Sequence, residues 1–168
     1  SQYVLIDSKD ELDSLRLSSL CKEFELQPIH LGSGLEFRRI KDIANLKEFF
    51  IIPVDFPELP NLNSLDDAEK ISLRELLTWE QAPTNPARLR HSGVDFAFTA
   101  HRLDSPKNFR KFAAKTLQAG LTEKELLAAC TTTPAKILGL HKGCGTISLG
   151  APANIIVSNG PIFENKTK

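Results

Sequence analysis

The segment Phe49-Phe50-Ile51-Ile52-Pro53-Val54, residues 49–54, is a short apolar run with the length and composition of a buried β-strand. Similar apolar runs lie on both sides of it, at residues 3–6, 28–31 and 94–99. Between these runs, apolar residues recur at helical spacing, for example over residues 35–46. Strands that alternate with helices through short connections favour a parallel sheet with right-handed crossovers. The sequence therefore predicts an α/β protein with four β/α units.

Local signals place the ends of several predicted elements. Asp7 and Ser8 follow the first strand and offer an N-cap to the first helix. Thr122, with Glu125 three residues later, has the spacing of a capping box. A proline-rich loop at residues 55–66 follows the third strand, at the end where α/β folds place their ligands. Besides a first helix up to residue 25, helices are predicted at residues 35–46, 69–80, 86–91, 105–118, 122–130 and 133–139, with two further β segments at 146–148 and 154–158.

Composition limits the class of protein. With 168 residues, the chain has the size of one ordinary domain that can bury a core. Lys and Arg together number 21, as do Asp and Glu, so the composition indicates no bulk attraction to nucleic acid or to an anionic membrane. No apolar run approaches the roughly 20 residues that span a bilayer. The three widely spaced cysteines, Cys21, Cys130 and Cys144, predict free thiols rather than a disulfide framework, and the compartment stays open.

The C-terminal part of the chain carries an ordered series of short motifs. They are Gly120-Leu121-Thr122, Thr132-Thr133-Pro134-Ala135-Lys136-Ile137-Leu138-Gly139-Leu140, Gly145-Thr146-Ile147-Ser148-Leu149-Gly150 and Ala153-Asn154-Ile155-Ile156-Val157. In order and spacing, the series resembles the end of amidohydrolases, and more narrowly of imidazolonepropionase-like members and related exopeptidase or aryldialkylphosphatase types. Pro134 can start a helix and Gly139 can end one, so these residues mark the family without carrying chemistry.

This resemblance implies an architecture larger than the chain. By it, residues 1–140 form the C-terminal half of a TIM-type (β/α)8 barrel, with the fifth to eighth strands, and residues 141–168 form part of a composite β-sandwich side domain. A whole barrel takes about 250 residues. Half a barrel leaves two open sheet edges, which must be covered. The N-terminal half of the barrel or a second copy of the chain is the expected partner. The alternative is a complete, small, open α/β sheet.

The resemblance also implies a place for the chemistry. Amidohydrolases use one or two divalent metals to activate water, and the ligands sit at the ends of the barrel strands. The ligands of the first and fourth strands would lie outside this chain, while His on the fifth and sixth strands and Asp on the eighth are expected inside it. Asp7 falls at the fifth-strand position, and His30 lies near the sixth-strand position. His101 stands where the family has Asp, and Asp55 ends the seventh strand.

Each of these four candidates, His101, His30, Asp7 and Asp55, has a structural alternative or an incomplete set of partners. Asp7 with Ser8 is better suited to cap the following helix, because a strand-to-helix junction favours such caps. A lone strand histidine is more often structural than a ligand, because ligands must converge on a metal. The resemblance thus implies a fragment of a metal-dependent hydrolase of C–N bonds, inactive when isolated, with no cofactor of its own. A zinc-type divalent metal would belong to the longer protein. The alternative function is a non-catalytic pseudo-hydrolase with a structural or interaction role.

Overall fold

The computed structural model describes residues 2–60 and 69–164. Its strands are β1 (Tyr3–Asp7), β2 (Gln27–Leu31), β3 (Phe49–Pro53) and β4 (Phe96–Thr99). The helices of the described part are α1 (Glu11–Glu23), α2 (Ile40–Leu46), α3 (Leu73–Gln81), α4 (Asn85–His91), α5 (Phe109–Gln118), α6 (Glu123–Cys130) and α7 (Thr132–Ile137). Short 3₁₀ segments, Glu36–Arg39, Ala82–Thr84 and Pro106–Asn108, lead into α2, α4 and α5.

The four strands form one parallel sheet in the order β1-β2-β3-β4. In its register Ile6 lies beside His30, His30 beside Phe50, and Phe50 beside Phe96. Sequence neighbours are therefore spatial neighbours, and a helical crossover joins each strand to the next. The predicted α/β class and the parallel four-strand sheet are confirmed.

One face of the sheet, which we call the helix-covered face, carries the main core. Phe50 and Ile52 of β3 are fully buried there against Ile43 of α2, Leu89 of α4 and Leu126 of α6. Each such side chain contributes about 1.5–3 kcal/mol by leaving water. Of the four strands, β3 is therefore held most firmly by the core, which also keeps the strand ends in place.

The opposite face, which we call the open face, is only partly covered. Ile29 and Ala97 are buried there beneath Ile137 of α7. Towards the β1 edge the cover ends, and Tyr3 and Leu5 are 57% and 62% exposed. Side chains alternate between the faces along a strand, so Tyr3 and Leu5 lie on the same face of β1 and form an apolar strip that no other element of the described part covers.

An ion pair fastens α7 to the sheet. The Lys136 ammonium lies 2.6 Å from Asp95 Oδ2, and Arg90 Nη1 lies 3.0 Å from Asp95 Oδ1. Burial acts to raise the pKa of Asp95, but its hydrogen bonds and charge interactions with Lys136 and Arg90 outweigh burial and lower that pKa. Helix α7, which belongs to the motif series that resembles amidohydrolases, therefore packs next to β4.

The cap of α1 differs from the prediction. Asp10, in extended conformation, caps the helix by accepting from the amides of Leu12 and Asp13. Ser8 is fully buried and its amide donates to Leu31 O at 3.0 Å, so it continues the β1–β2 pairing instead of starting a helix. The predicted Asp7–Ser8 cap is therefore wrong, because pairing with β2 holds this segment extended.

Other helix ends follow their local signals to different degrees. The capping box of Thr122 and Glu125 is confirmed. The predicted helix 69–80 is interrupted: Glu69 and Lys70 are helical, the helix breaks at residues 71–72, and a second capping box, Ser72 with Glu75, starts α3. The predicted second helix divides into the 3₁₀ segment Glu36–Arg39 and α2. Of the predicted loop 55–66, residues 61–66 lie outside the described residues.

The two predicted β segments of the tail are not in strands in this structure. Residues 146–148 and 154–158 have no sheet partner, and Ile156 and Val157 are largely exposed. The apolar composition that predicted strands is present, but a strand needs a neighbour to take its backbone hydrogen bonds. The composite β-sandwich stays a prediction. Among residues 2–60 and 69–164, no helix combines the length and hydropathy needed to cross a membrane.

Candidate functional site

The carboxyl ends of the four parallel strands meet at one edge of the sheet, which is where α/β folds bind their ligands. Asp7 ends β1, Gly32 follows β2, and Asp55 lies shortly after β3. His101 follows β4, and its backbone amide donates to Thr99 Oγ1 at 3.1 Å. Asp7, Asp55 and His101 are all exposed at this edge. Three of the four predicted site residues therefore share one end of the sheet.

Arg102 links two of these strand ends. Its Nη2 lies 3.6 Å from Asp7 Oδ1, and its Nη1 donates to Ser33 O at 3.1 Å. The guanidinium therefore supplies the positive charge nearest to Asp7 and ties the end of β1 to the loop after β2. A metal ion at Asp7 would have to compete with this cation. Arg102 was not among the predicted site residues, although it directly follows His101 in the sequence.

His30 lies on the other side of the sheet. It points into the helix-covered face, fully buried, and its ring stacks on Phe50 with 4.7 Å between centroids. Its Nε2 is 2.7 Å from Glu48 Oε2, whose second oxygen accepts from Ser18 Oγ. Asp7 alternates onto the open face, so the structure does not bring His30 and Asp7 together. These contacts give His30 a structural role, and its catalytic role stays a prediction.

Ser8, His30 and Glu48 form a row that has the composition of a nucleophilic triad. Ser8 Oγ is 3.4 Å from His30 Nδ1, and His30 Nε2 is 2.7 Å from Glu48. A triad must present its hydroxyl to a substrate, and both Ser8 and His30 are fully buried. The row therefore serves packing and hydrogen bonding beneath the helices.

A buried carboxylate organises the loop after β2. Glu36 is fully buried, and its Oε1 accepts from the amides of Ser33 at 2.7 Å and Gly34 at 3.1 Å. Its Oε2 accepts from Asn85 Nδ2 at 2.6 Å. Asn85 begins α4, so this carboxylate joins the end of β2 to the helix that precedes β4. Glu36 was not among the predicted site residues, yet its spacing three residues after Ser33 is that of a capping box.

Gly32 leaves room for this carboxylate. A Cβ at position 32 would lie 2.6 Å from Glu36 Oε1 and 3.2 Å from Ile52 Cγ2. We expect Gly32→Ala to destabilise the fold by about 1–3 kcal/mol, because either the carboxylate or the loop must move. Urea unfolding measures the loss. Gly143→Ala is the control, since its Cβ would meet nothing within 4 Å and its φ is not positive. Equal losses in both variants would contradict the steric argument.

The candidate residues of this chain do not make a complete metal site. Within the described ranges, no group of three or more His, Cys, Asp or Glu side chains is arranged to hold a metal ion. Asp7 already forms a salt bridge with Arg102, and His30 is hydrogen-bonded to Glu48 on the other face of the sheet. A metal at this edge would need ligands from outside the described residues.

The three thiols differ in accessibility. Cys144 is exposed, whereas Cys21 is buried and Cys130 is half-buried. Burial raises the pKa of the Cys130 thiol to about 11, and burial together with the Glu48 charge raises the pKa of Cys21. We expect iodoacetamide at pH 8 to label Cys144 first, because the thiolate is the reactive form. Peptide mass spectrometry over time checks this order, and a Cys144→Ser variant that is labelled at the same early rate would contradict it.

Sequence comparison finds the family in the C-terminal part of the chain. Residues 86–168 match the model of the amidohydrolase family. This range contains β4, the helices from α5 onward and the whole motif series of the tail. No curated protein matches the chain.

Solved structures match the fold along almost the whole chain. An amidohydrolase from Thermotoga maritima MSB8 has a TM-score of 0.75 at 23% identity, over 98% of this chain and 40% of that one. A second amidohydrolase has a TM-score of 0.61 at 18% identity, over 97% and 39%. An uncharacterized protein has a TM-score of 0.63 at 16% identity, over 97% and 40%.

The chain therefore spans about two fifths of the length of the structures that it matches. At identities of 16–23% these structures show a shared fold alone. Similarity in sequence to amidohydrolases comes from the family model over residues 86–168. The resemblance predicted from the motif series is confirmed by the match of residues 86–168 to the amidohydrolase family model.

Proposed function

We propose that this chain forms the C-terminal half of the (β/α)8 barrel of an amidohydrolase-type enzyme that hydrolyses C–N bonds of amides or cyclic amides. The observation that carries the proposal is the open face of the sheet. Tyr3 and Leu5 of β1 project from the open face into solvent, where the interior side chains of the other barrel strands would cover them. The fold match over 98% of the chain but 40% of a solved amidohydrolase supports this arrangement.

The strand ends give the proposed enzyme part of its active-site mouth. Asp7, Asp55 and His101 stand at the edge that faces substrate in barrel enzymes. His101 has a side chain suited to proton transfer, and Arg102 holds Asp7 as part of a fixed charge pair. These residues bind and orient polar groups of a substrate. The described residues do not fit a metal on their own, so the proposal assigns no step to a metal within this chain.

An activity assay tests the proposal that the isolated chain is inactive. The purified chain is mixed with amide and cyclic-amide substrates, with and without added zinc or manganese. We expect no turnover, since the remaining ligands and half of the substrate cavity would come from other strands. Metal-dependent turnover by the chain alone would overturn the half-barrel proposal. Turnover that appears only when the N-terminal half is supplied would support it.

One observation favours a second function, a pseudo-hydrolase with a structural or interaction role. His101 stands at the position where the family resemblance expects Asp, and the guanidinium of Arg102 lies beside Asp7. Metal analysis of the longer protein that contains this chain separates the two functions. A stoichiometric bound metal would rule out the pseudo-hydrolase, and a metal-free, inactive protein would rule out the hydrolase.

The partner of the open edges is part of the same proposal. We propose the N-terminal half of the barrel as the partner, and a second copy of the chain as the alternative. Light scattering of the purified chain distinguishes them. A dimer mass would favour pairing of two copies, and a monomer mass would exclude it.

A further inference from the structure

We propose that a cavity of about 490 Å³ between α3 and the segment after β3 binds a small apolar amino acid in its zwitterionic form. Its volume is within the range of small-molecule pockets. Among the residues that the structure describes, its lining combines an apolar wall with four charged side chains, Arg38, Glu58, Arg74 and Glu75. It does not depend on the hydrolytic activity proposed above.

The cavity lies on the side of the sheet where ligands bind in α/β folds. Arg38 follows β2, and Pro57 and Pro60 follow β3, so these lining residues all come from segments that leave the carboxyl ends of strands. Trp79 and Ile71 face them from α3 and the residues before it. The indole and the two rigid proline rings give an apolar wall that loses little freedom on binding.

Arg38 is the fixed cation of the site. Its side chain is 20% exposed, its Nη2 donates to Thr78 Oγ1 at 2.6 Å, and its Nη1 lies 3.7 Å from Glu11 Oε2. A guanidinium has five N–H donors, so these contacts orient it and leave donors for a ligand. Because Glu11 and Thr78 already engage Arg38, it supplies fixed positive charge, and the carboxylate of the ligand is assigned to the exposed guanidinium of Arg74.

The rim of the cavity carries both signs of charge. Arg74 and Glu58 line it and are exposed. Glu75 also lines it, but its carboxylate accepts from the amide and the hydroxyl of Ser72, which together hold its pKa below the usual value. Two arginines and two glutamates favour a ligand that carries one carboxylate and one ammonium over a dianion. The apolar wall selects an apolar side chain between them.

The fluorescence of Trp79 provides the test, because it is the one tryptophan of the chain. The chain is titrated with L-leucine, with N-acetyl-L-leucine, which lacks the ammonium, with L-leucinamide, which lacks the carboxylate, and with N-acetyl-L-leucinamide, which lacks both. We expect a saturable change of emission with L-leucine and affinity at least about tenfold weaker for the doubly blocked compound, as for the loss of two ionic contacts. Absence of a saturable change with L-leucine would overturn the proposal, and so would equal affinity for N-acetyl-L-leucinamide.

Charge variants identify which side chain meets which group. We expect Arg74→Gln to weaken binding of L-leucine about three- to tenfold and to leave L-leucinamide unchanged. Glu58→Gln should also weaken binding of L-leucine, but it should leave binding of N-acetyl-L-leucine, which lacks the ammonium, unchanged. Lys111→Gln, an exposed change on α5 away from the cavity, is the matched control and should behave as the unmodified chain. If Arg74→Gln affects L-leucinamide as much as L-leucine, the assignment of the carboxylate is wrong. Circular dichroism confirms that each variant is folded.

Discussion

Replacing Glu36 by alanine is expected to lower the free energy of unfolding by about 2–4 kcal/mol, because one buried and two partly buried donors lose their shared acceptor. The amides of Ser33 and Gly34 and the side-chain nitrogen of Asn85 all donate to this one carboxylate. Each buried donor without a partner costs about 1–3 kcal/mol. Since small domains are stable by only about 5–15 kcal/mol, the variant should be close to unfolding at 37 °C.

Urea unfolding followed by circular dichroism measures this loss. Glu23→Ala is the control, because Glu23 is exposed on α1 and its replacement should change the free energy by no more than about 0.5 kcal/mol. Glu36→Gln should lose much less than Glu36→Ala. The Oδ1 of Asn85 is buried without a hydrogen bond, so a turn of its amide would let it accept from the new glutamine. Equal stability of Glu36→Ala and Glu23→Ala would contradict the role given to this carboxylate.

Replacing His30 by alanine is expected to cost about 2–4 kcal/mol, as for other large side chains removed from a core. The change removes the ring that stacks on Phe50 and leaves a void beneath the helices. It also removes the hydrogen bond to Glu48, which keeps Ser18 and the more distant Lys22 as partners. His30→Gln should lose less, because its amide can still reach a polar neighbour.

The measurement compares the thermal midpoints of His30→Ala and His141→Ala, with and without zinc. His141 is exposed and serves as the control for loss of a histidine. A buried structural His30 predicts a large fall of the midpoint and no zinc-dependent difference between the variants. A metal-ligand role predicts instead that zinc raises the midpoint of the unmodified chain and of His141→Ala but not of His30→Ala. That second pattern would contradict the structural assignment.

The strands were predictable because each is short and apolar, and a segment with helical periodicity separates it from the next strand. The face of the sheet from which the His30 side chain projects was not predictable. Both faces of a parallel strand are apolar, so alternation alone does not say which face a given residue occupies. Its orientation follows only from the register with Phe50, and that register depends on the packing of α1 and α2. Both directions are therefore compatible with the sequence, and the structure selects the helix-covered face.

The candidate site was predicted in part. Asp7, Asp55 and His101 stand at strand ends, and strand ends could be located from the sequence. Glu36 was missed because a charged residue in a helical pattern normally faces solvent. The strands of the tail were predicted from apolar composition, but composition cannot supply the neighbouring strand that residues 154–158 need.

The uneven cover of the sheet implies that the molecule does not open uniformly. In β3, Phe50 and Ile52 are fully buried and both edges are paired, whereas β1 is paired with β2 alone and projects Tyr3 and Leu5 into water. Local opening free energies follow burial and pairing of this kind. Amide hydrogen exchange across the sheet should therefore be graded, fastest in β1 and slowest in β3. Fluctuations of the isolated chain begin at the edge that carries Asp7, one of its few candidate active-site groups.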